Sequence, residues 1–508
     1  MRFDQPNCVG YKYLYVDTNT SRCITSWIFL KDNRLFRVTS LGDTLEAASP
    51  FVEKFYSSLR PLDKKLGPSV YASKLDTFFT DFYSKDSLVS RRAKEAIPNV
   101  YFGPGGLPLL LKAIRTLPYN GKDYFETKTK LINELGYIDD SASIRRVVDG
   151  LKDIYERAGD TSTFQNAVFK ALSRHKTLPA YELLKTLLIQ DPPIFDNGSD
   201  YSFLFQNMRD SLALAKTLFP DLLQMATVDD YKSNIQSLLA SLVDSGYLRS
   251  TDYESYFSQL YFDARLQWKK QEGRDEKRLQ KKEDDNSDES SYRGEDETDE
   301  QLTDYTVLLA PFYDRNATVP RFFNKLLQSP DPSLRLTTAV LLLRNNKPVA
   351  DSIFQTLAAS DQHRSALLKE LEDIHKVDRF PRNFHNQMDV ARSLLVSGKN
   401  DNEFFAVQYV DKKIVQFRQK KGYIYFFQYK INKDDEWQMG LSGLQPLNQK
   451  EVSTDDDFVR LTGKKIRPGT PVRDQFEKQL RRFLFSKRKS VNVFYLDNDY
   501  YGQRDDDD

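Results

Sequence analysis

Four histidines are the first residues to test for chemistry, because histidine is the commonest metal ligand in proteins. They are His175, His363, His375 and His385. A zinc site usually places two ligands at close spacing on one helix face and often adds cysteines. The last three histidines are separated by 12 and 10 residues, and no cysteine accompanies them. The spacing therefore predicts surface or helix-terminal histidines and no metal centre.

Two further catalytic patterns, a nucleophile on a sharp turn and a glycine-rich phosphate loop, are absent from the sequence. No Gly-x-Ser-x-Gly segment occurs. The one dense glycine cluster, Gly103-Pro104-Gly105-Gly106, is not followed by Gly-Lys-Ser/Thr and does not follow a predicted strand. It predicts a connection between helices. We therefore expect a protein that is not an enzyme and that binds no cofactor, metal or small-molecule ligand.

An aromatic and basic stretch near the C-terminus is the one candidate for a partner surface. Its residues are Tyr423, Tyr425, Phe427 and Tyr429 with Lys420 and Lys421. Exposed rings between basic side chains would form a stacking platform for single-stranded nucleic acid. However, such faces on small sheets are usually core under a helix, and the helix predicted from Val472 to Phe485 could supply that cover with Phe476, Leu480, Phe483 and Leu484. Protein is therefore the preferred partner, and exposure of Tyr425 and Tyr429 would favour nucleic acid.

The elements that position these residues are mostly helices. From Thr161 to Ile194 apolar residues recur at three-to-four spacing on two segments, broken between His175 and Pro179 and stopped at Asp191, Pro192 and Pro193, which predicts a helical hairpin. A hairpin with one apolar face needs stacked neighbours to bury it.

Similar patterns recur along the chain on both sides of this hairpin. The other predicted helices are Lys74–Tyr83, Ser87–Ile97, Leu107–Leu117, Tyr124–Leu135, Ala142–Arg157, Ser202–Phe219, Tyr231–Leu242, Tyr253–Trp268, Val319–Leu327, Pro332–Leu343, Ser352–Ala358, Ser365–Ile374 and Met388–Leu395. Short helices with short polar joints favour stacked pairs.

Two segments resemble the second helix of a HEAT-type repeat, in which an acidic residue opens the helix and Arg and Ala recur inside it. Asp86 precedes Arg91, Arg92 and Ala93, and Ser329-Pro330-Asp331-Pro332 precedes Leu334, Arg335, Ala339, Val340 and Leu343. The resemblance implies a HEAT-like α-solenoid of degenerate repeats, which exposes a long surface for protein partners.

The two ends of the chain have the alternating pattern of strands. Tyr11–Val16, Cys23–Leu30 and Arg34–Thr39 predict a partial sheet, followed by a helix from Glu46 to Leu59. Near the C-terminus, Phe405–Tyr409, Ile414–Arg418, Tyr423–Ile431 and Trp437–Leu441 predict an antiparallel meander with turns at Asp411-Lys412-Lys413 and Gly422, and Val491–Leu496 predicts a last strand.

The segment from Lys269 to Glu300 has a different composition from the rest of the chain. It has 21 charged residues among 32, so it cannot bury enough apolar surface to offset the entropy of ordering. We expect a disordered linker, into which the preceding helix could run as far as Lys282. The helical pattern resumes after it, so the linker interrupts the repeats and does not end them.

Charge and cysteine content exclude several classes of protein. The 74 Lys and Arg against 73 Asp and Glu give a formal net charge of +1, so no global field attracts nucleic acid or an anionic membrane. Cys8 and Cys23 are too few for disulfides to be the main source of stability, and the sequence leaves open whether they pair. No apolar run is long enough for a membrane span.

The N-terminus lacks the basic start and apolar core of a secretory signal. It opens almost directly into a strand, which suggests that Met1 is internal to a longer protein. The cytoplasm is the default localisation, and the cell envelope is the alternative if the chain is such a fragment.

A second resemblance concerns three short segments: Tyr181-Glu182-Leu183-Leu184, Asp191-Pro192-Pro193 and Gly422-Tyr423-Ile424-Tyr425-Phe426-Phe427. Their order looks like the region downstream of a TraB/GumN-type domain in long bacterial envelope proteins. This implies a C-terminal, accessory portion of an envelope enzyme whose catalytic domain lies upstream. No residue of that domain's metal-dependent chemistry is matched, so no catalytic role is carried over.

The sequence thus predicts a mostly α protein: a HEAT-like helical-hairpin solenoid with a small N-terminal β element and a C-terminal α+β module. The predicted divisions are a partial sheet with a helix over 1–60, repeats over 61–268, the linker over 269–302, further repeats over 303–398, a sheet with its covering helix over 399–502 and an acidic tail over 503–508. The predicted function is a non-catalytic scaffold that binds protein. The alternatives are the accessory portion of an envelope enzyme and nucleic-acid binding by the C-terminal sheet.

Overall fold

A computed structural model describes residues 2–5, 8–16, 21–45, 48–58, 65–67, 69–119, 123–159, 161–195, 198–283, 300–397, 404–417 and 420–487. The chain divides into two compact units. One unit contains residues 73–353, and the other contains residues 1–72 together with 354–508. The described residues contain no helix that is both long and apolar enough to cross a membrane.

The N-terminal sheet is antiparallel and has the strand order β1-β2-β3-β4. The strands are β1 (Arg2–Gln5), β2 (Cys8–Val16), β3 (Arg22–Lys31) and β4 (Arg34–Asp43). Three of them were predicted, and β1 is an additional edge strand. Helix α1 (Pro50–Ser58) begins at Pro50 and not at Glu46, as expected for proline at the first helical position. It anchors to the sheet through Tyr56, whose ring lies 5.2 Å from that of Trp27.

The two cysteines lie at opposite ends of the paired strands β2 and β3. Cys8 is opposite Lys31, whereas Cys23 is opposite Val16. Eight residues of strand separate these positions, a distance of roughly 26 Å, and a disulfide needs Cα atoms within about 7 Å. The sheet therefore keeps them from pairing with each other, and Cys23 is a free thiol.

Residues 73–353 form the helical part of the chain. Its helices are α2 (Leu75–Phe82), α3 (Ser87–Glu95), α4 (Gly103–Thr116), α5 (Tyr124–Leu135), α6 (Ile144–Ala158), α7 (Ser162–Arg174), α8 (Leu178–Gln190), α9 (Gly198–Arg209), α10 (Leu212–Ala215), α11 (Asp229–Asp244), α12 (Phe257–Glu283), α13 (Glu300–Leu309), α14 (Thr318–Leu327) and α15 (Pro332–Arg344). The predicted hairpin from Thr161 to Ile194 is confirmed as α7 and α8.

Alternate helices of this unit stack in sequence. Helix α5 packs on α7, α7 on α9, α9 on α11, α11 on α13 and α13 on α15, while α4, α6, α8, α12 and α14 pair with members of this row. Phe169, Leu172 and Leu239 are among its fully buried side chains. Each hairpin therefore buries its apolar face against neighbours, as the repeat pattern predicted. The row includes helices on both sides of residues 284–299, which confirms that the charged segment interrupts the stack and does not end it.

Two acidic residues that the sequence placed at helix starts are N-caps. The Asp86 carboxylate accepts hydrogen bonds from the backbone N–H groups of Leu88 (2.8 Å) and Val89 (3.3 Å) at the start of α3. Asp331 accepts one from Ser333 (2.9 Å) at the start of α15. These bonds satisfy donors that have no partner inside the helix.

The Asp86 cap can be tested by substitution. We expect Asp86→Ala to lower the free energy of unfolding by about 1 kcal/mol, because α3 then loses the acceptor for its first N–H groups. Asp86→Asn keeps an oxygen acceptor and is the control, with a change close to zero. Urea denaturation of the full chain measures both. An equal loss in the two variants would show that charge, and not capping, is what matters at this position.

The charged linker begins later along the chain than the sequence predicted. Helix α12 continues to Glu283, in line with its possible run to Lys282, and α13 begins at Glu300. Gln271 and Asp275, inside the predicted linker, are only 4% and 6% exposed. The Asp275 carboxylate accepts hydrogen bonds from Gln271 (2.9 Å) and from Ser329 (3.1 Å). The prediction that disorder begins at Lys269 is therefore wrong. Residues 284–299 lie outside the described residues.

Two helix predictions in this unit need correction. The cluster Gly103-Pro104-Gly105-Gly106 is the first turn of α4 and not a connection between helices. The predicted helix Ser202–Phe219 is broken: α9 ends at Arg209, and Ser211 leaves the helical region with φ −140° before the short α10. Ser and Asp favour such breaks, because their side chains compete for backbone hydrogen bonds.

The C-terminal sheet is an antiparallel meander with the order β5-β6-β7-β8. Its strands are β5 (Ala406–Phe417), β6 (Lys420–Lys430), β7 (Gln438–Gln445) and β8 (Arg460–Lys465). The predicted turn at Asp411-Lys412-Lys413 is wrong, because both predicted strands belong to β5, with an irregularity between Tyr409 and Asp411. Gly422 lies within β6 and not at a turn, and β8 was missed. Val491–Leu496 and the tail over 503–508 lie outside the described residues.

Helices cover both faces of this sheet. Helix α19 (Val472–Lys487) packs Phe476, Leu480 and Phe483, its predicted inner residues, against Ile424 and Phe426. The predicted face is wrong, because Tyr425, Phe427 and Tyr429 alternate with these residues along β6 and lie on the opposite side of the sheet. The other face is covered by α18 (Gln387–Ser397), which is preceded by α16 (Asp351–Ala359) and α17 (Arg364–Asp373). The predicted boundary between 398 and 399 therefore differs from the observed units, in which residues 354–397 group with the sheet.

Candidate binding surface

The aromatic residues predicted as a partner surface form the core between β6 and α18. Tyr425, Phe427 and Tyr429 are 4%, 0% and 2% exposed, and they pack with Ala391 and Leu395. Tyr423 is half-buried at the edge of the same cluster. A base cannot stack on a ring that another side chain covers, so the exposure that would favour nucleic-acid binding is not observed.

The hydroxyl groups of these tyrosines have partners within the fold. Tyr425 donates to the side-chain oxygen of Gln387 (3.1 Å), and the amide nitrogen of Gln387 donates to the carbonyl oxygens of Pro446, Asn448 and Glu451. Tyr429 donates to Gln438 (3.0 Å). Burial raises the pKa of Tyr425 to about 12, so it remains a donor at neutral pH. Both rings therefore have a structural role.

Of the two predicted lysines, Lys420 takes part in an ion pair. Its Nζ lies 3.1 Å from the Asp455 carboxylate and 3.9 Å from that of Asp457. Lys421 is exposed. Three of the six predicted residues are thus buried, and the exposed remainder does not form an aromatic platform.

The histidines belong to no group of three potential metal ligands among the described residues. In the part of the chain that the structure describes, the only group of three potential metal ligands within reach of one ion is Asp455, Asp456 and Asp457, and none of the histidines belongs to it. His175, at the end of α7, is buried beside the Leu135 backbone and is not a surface residue. Burial lowers its pKa, so the ring is neutral at pH 7.

A cavity of about 380 Å³ lies where the start of α4 meets the end of α5. Gly103 opens α4 with φ +55°, a conformation that favours glycine, and a Cβ there would meet the Tyr101 ring at 3.0 Å. No side chain caps this helix start. The loop of residues 98–102 and the turn containing Tyr137 and Ile138 form the rest of the lining.

Glu134, in the last turn of α5, is one of the residues that line this cavity. The residue is 8% exposed, and among the described residues its carboxylate has no hydrogen-bond or ion-pair partner. Burial raises its pKa to about 7, against the opposing attraction of Arg174. The sequence contained a signal for this residue, since Glu134 stands between Leu131, Leu135 and Ile138 on an otherwise apolar helix face.

Exposed aromatic residues border the cavity and continue across the ends of neighbouring helices. Tyr101 is 82% exposed and Tyr137 is 57% exposed. The Arg174 guanidinium lies between two rings, 4.6 Å from the centroid of Tyr137 and 5.3 Å from that of Phe203, which is 37% exposed. We name these four residues, Tyr101, Tyr137, Arg174 and Phe203, the aromatic ridge.

The ridge has the composition of a protein-binding hot spot. Tyrosine, phenylalanine and arginine are enriched at the centres of protein interfaces, where they combine large contact area with polar groups. One nitrogen of Arg174, Nη1, is buried without a hydrogen-bond partner among the described residues. Sequence analysis missed the ridge, because its members come from four segments that only the stacking of α4, α5, α7 and α9 brings together.

No family model matches the chain, and no curated protein matches it in sequence. Solved structures with some likeness include the complex of CpcE and CpcF of phycocyanin lyase from Nostoc sp. PCC7120, with 13% identity and a TM-score of 0.25 over 62% of this chain and 99% of that chain. Another is a lipovitellin structure concerned with lipid–protein interactions, with 10% identity and a TM-score of 0.23 over 85% of this chain and 47% of that chain. Both scores are too low to support an argument about this chain. The resemblance to a region downstream of a TraB/GumN-type domain gains no support from these comparisons.

Proposed function

We propose that this chain is a non-catalytic, HEAT-like helical-repeat scaffold that binds another protein through the aromatic ridge. The observation that carries the proposal is the exposure of Tyr101 and Tyr137 beside Arg174 on the stacked helices. Stacked helical repeats present extended surfaces that bind protein segments. The lack of a catalytic pattern in the sequence is consistent with a scaffold. No specific observation favours the two alternatives, an accessory part of an envelope enzyme or a nucleic-acid-binding sheet.

Affinity capture with the full chain from an extract of the source cells tests the ridge. The test variant carries Tyr101→Ser, Tyr137→Ser and Phe203→Ser. We expect it to lose the proteins that the unmodified chain retains, with affinity reduced by about 30-fold or more for a ridge at the centre of an interface. Circular dichroism shows whether the helices remain folded.

The matched control substitutes exposed apolar residues elsewhere on the same unit. Phe262→Ser with Leu266→Ser changes two side chains on α12 that are 61% and 44% exposed. This variant should capture the same proteins as the unmodified chain. If the ridge variant also retains them, or if both variants lose them equally, the ridge is not the binding surface.

A further inference from the structure

We propose that the cavity between α4 and α5 binds one basic side chain, lysine or arginine, of the protein partner through an ion pair with Glu134. This inference rests on the proposed function and adds the chemistry of the partner to it. It rests on two observations: a cavity of about 380 Å³ whose lining includes Glu134, and the burial of that glutamate, whose carboxyl group has no partner among the described residues.

The carboxyl group of Glu134 has no ion-pair or hydrogen-bond partner among the described residues. A buried carboxylate is normally paired with a cation or receives several hydrogen bonds, because its removal from water is unfavourable. Arg174 attracts Glu134 from α7 but makes no ion pair with it among the described residues, and the Arg174 guanidinium lies instead on the ring of Tyr137. A cation supplied from outside would complete the pair.

The surroundings of the cavity favour a positively charged group. The carbonyl end of α5 carries partial negative charge beside Glu134. Tyr101 and Tyr137 form part of its lining, and aromatic rings attract ammonium and guanidinium groups. Tyr137 already interacts in this way with Arg174, with 4.6 Å between the guanidinium carbon and the ring centroid.

The start of α4 is a second part of the lining and favours an amino-acid residue over a simple cation as the ligand. The start of α4 carries partial positive charge, has no side-chain cap, and lies at Gly103, on the cavity lining. Free N–H groups at such a helix start bind carbonyl oxygens. A basic residue of a partner supplies both groups, a cationic end for Glu134 and a peptide carbonyl for the start of α4.

Other ionisable groups near Glu134 modify the binding but do not replace its charge. Arg174 attracts it from the end of α7, and His175 follows Arg174 beside the Leu135 backbone. Tyr137 and Asp139 follow Glu134 in the turn after α5, and Tyr101 lies before α4. His175 is buried, and its lowered pKa leaves it neutral at pH 7. The positive charge of Arg174 opposes a second cation, so the negative charge of Glu134 is required for binding.

The pH dependence of binding follows from the pKa of Glu134, which burial raises to about 7. A cation pairs with the ionised carboxylate, so binding releases the proton that Glu134 holds at lower pH. The ionised fraction rises from roughly one tenth at pH 6 to roughly nine tenths at pH 8, and the affinity should rise about tenfold over that interval.

The experiment titrates the full chain with N-acetyl-arginine methylamide and N-acetyl-lysine methylamide, followed by NMR. Binding of at least one of them is expected at about millimolar concentration, since a single side chain offers few contacts. The neutral analogues N-acetyl-citrulline methylamide and N-acetyl-norleucine methylamide should not bind. Glu134→Gln should abolish binding, whereas Glu126→Gln, on the exposed side of the same helix and paired with Lys130, should leave it unchanged.

The inference is overturned if Glu134→Gln binds the basic probe as well as the unmodified chain does, if citrulline binds as well as arginine, or if neither basic probe binds. These outcomes are separate from those of the capture experiment. If the ridge variant loses its partners and the basic probes do not bind, the scaffold proposal is supported and the basic-residue pocket is rejected. Probe binding without any ridge-dependent capture would support the pocket and count against the scaffold.

Discussion

Replacing Arg364 with alanine should lower the free energy of unfolding by about 3–5 kcal/mol, the largest effect that we expect from a single side chain. Arg364 is 4% exposed and lies at the start of α17. Its guanidinium donates to the carbonyl oxygens of Ala358 (2.7 Å), Ala359 (3.2 Å) and Asp389 (3.0 Å). The first two belong to the end of α16, where the carbonyls have no partner within the helix.

Loss of the guanidinium would leave these carbonyls without their buried donor and would remove one of the two arginines at the Asp361 carboxylate. Arg364 Nη1 lies 2.6 Å from Asp361 and also ties the end of α16 to the first turn of α18. Urea-induced unfolding, followed by circular dichroism, measures the effect. Arg364→Lys keeps the charge but not the planar set of donors, so an intermediate loss is expected.

Arg392 provides the matched control, because it binds the same carboxylate from a more exposed position. Its Nε lies 2.7 Å from Asp361, and its side chain is 39% exposed. Arg392→Ala should lower stability by less than about 1 kcal/mol, as is usual for exposed ion pairs. Equal losses for the Arg364 and Arg392 variants would show that Asp361, and not the helix-end carbonyls, is the important partner of Arg364.

The sequence predicted the helices well wherever a local signal controls them. Asp86 and Asp331 lie at helix starts in a pattern that is visible in the sequence alone, and both cap their helices. The apolar side of α19 is likewise visible as Phe476, Leu480 and Phe483, and these residues face the sheet. Capping and helical periodicity act within a few residues, which is why sequence reasoning suffices for them.

Features that depend on distant partners were missed. Gln271 and Asp275 belong to a run that is mostly charged, yet both are buried. The Asp275 carboxylate accepts a hydrogen bond from Ser329, 54 residues further along the chain, which local pattern does not reveal. The second cover of the aromatic sheet, α18, precedes the sheet in the chain, so local pattern does not connect it to Tyr425 and Tyr429. The polar segment around Asp411 continues as a strand, because β6 pairs with β5 on both sides of the irregularity between Tyr409 and Asp411.

The candidate site was the hardest part to predict for the same reason. Glu134 interrupts an apolar helix face, which is a local signal, but the cavity that it lines is formed by the start of α4. Gly103 and Gly106 appear in the sequence only as weak helix formers. The need for glycine comes from neighbouring side chains, because a Cβ atom on Gly106 would lie 3.3 Å from the side chain of Leu75.

The Glu134→Gln variant should be more stable than the unmodified chain at pH 8 and nearly as stable as it at pH 5. The pKa of Glu134 is raised to about 7 in the folded protein from an ordinary value of 4.5. The folded state therefore holds a proton that the unfolded state has released over this interval, and stability falls as pH rises from about 4.5 to about 7. The total loss is about 3 kcal/mol at most, reached above pH 7, and glutamine avoids it because it never ionises.

Hydrogen exchange of the amides in α5 and α7 measures this difference in stability between the two proteins close to residue 134. The rates are corrected for the intrinsic effect of pH on exchange. Protection in the unmodified chain should fall between pH 5 and pH 7 and then level off, whereas protection in the Glu134→Gln variant should stay constant. Glu126→Gln is the control on the same helix, because Glu126 is exposed and paired with Lys130, which lowers its pKa. A fall in protection that is identical in all three proteins would assign the pH dependence to another group and would show that the Glu134 carboxylate is already satisfied in the folded chain.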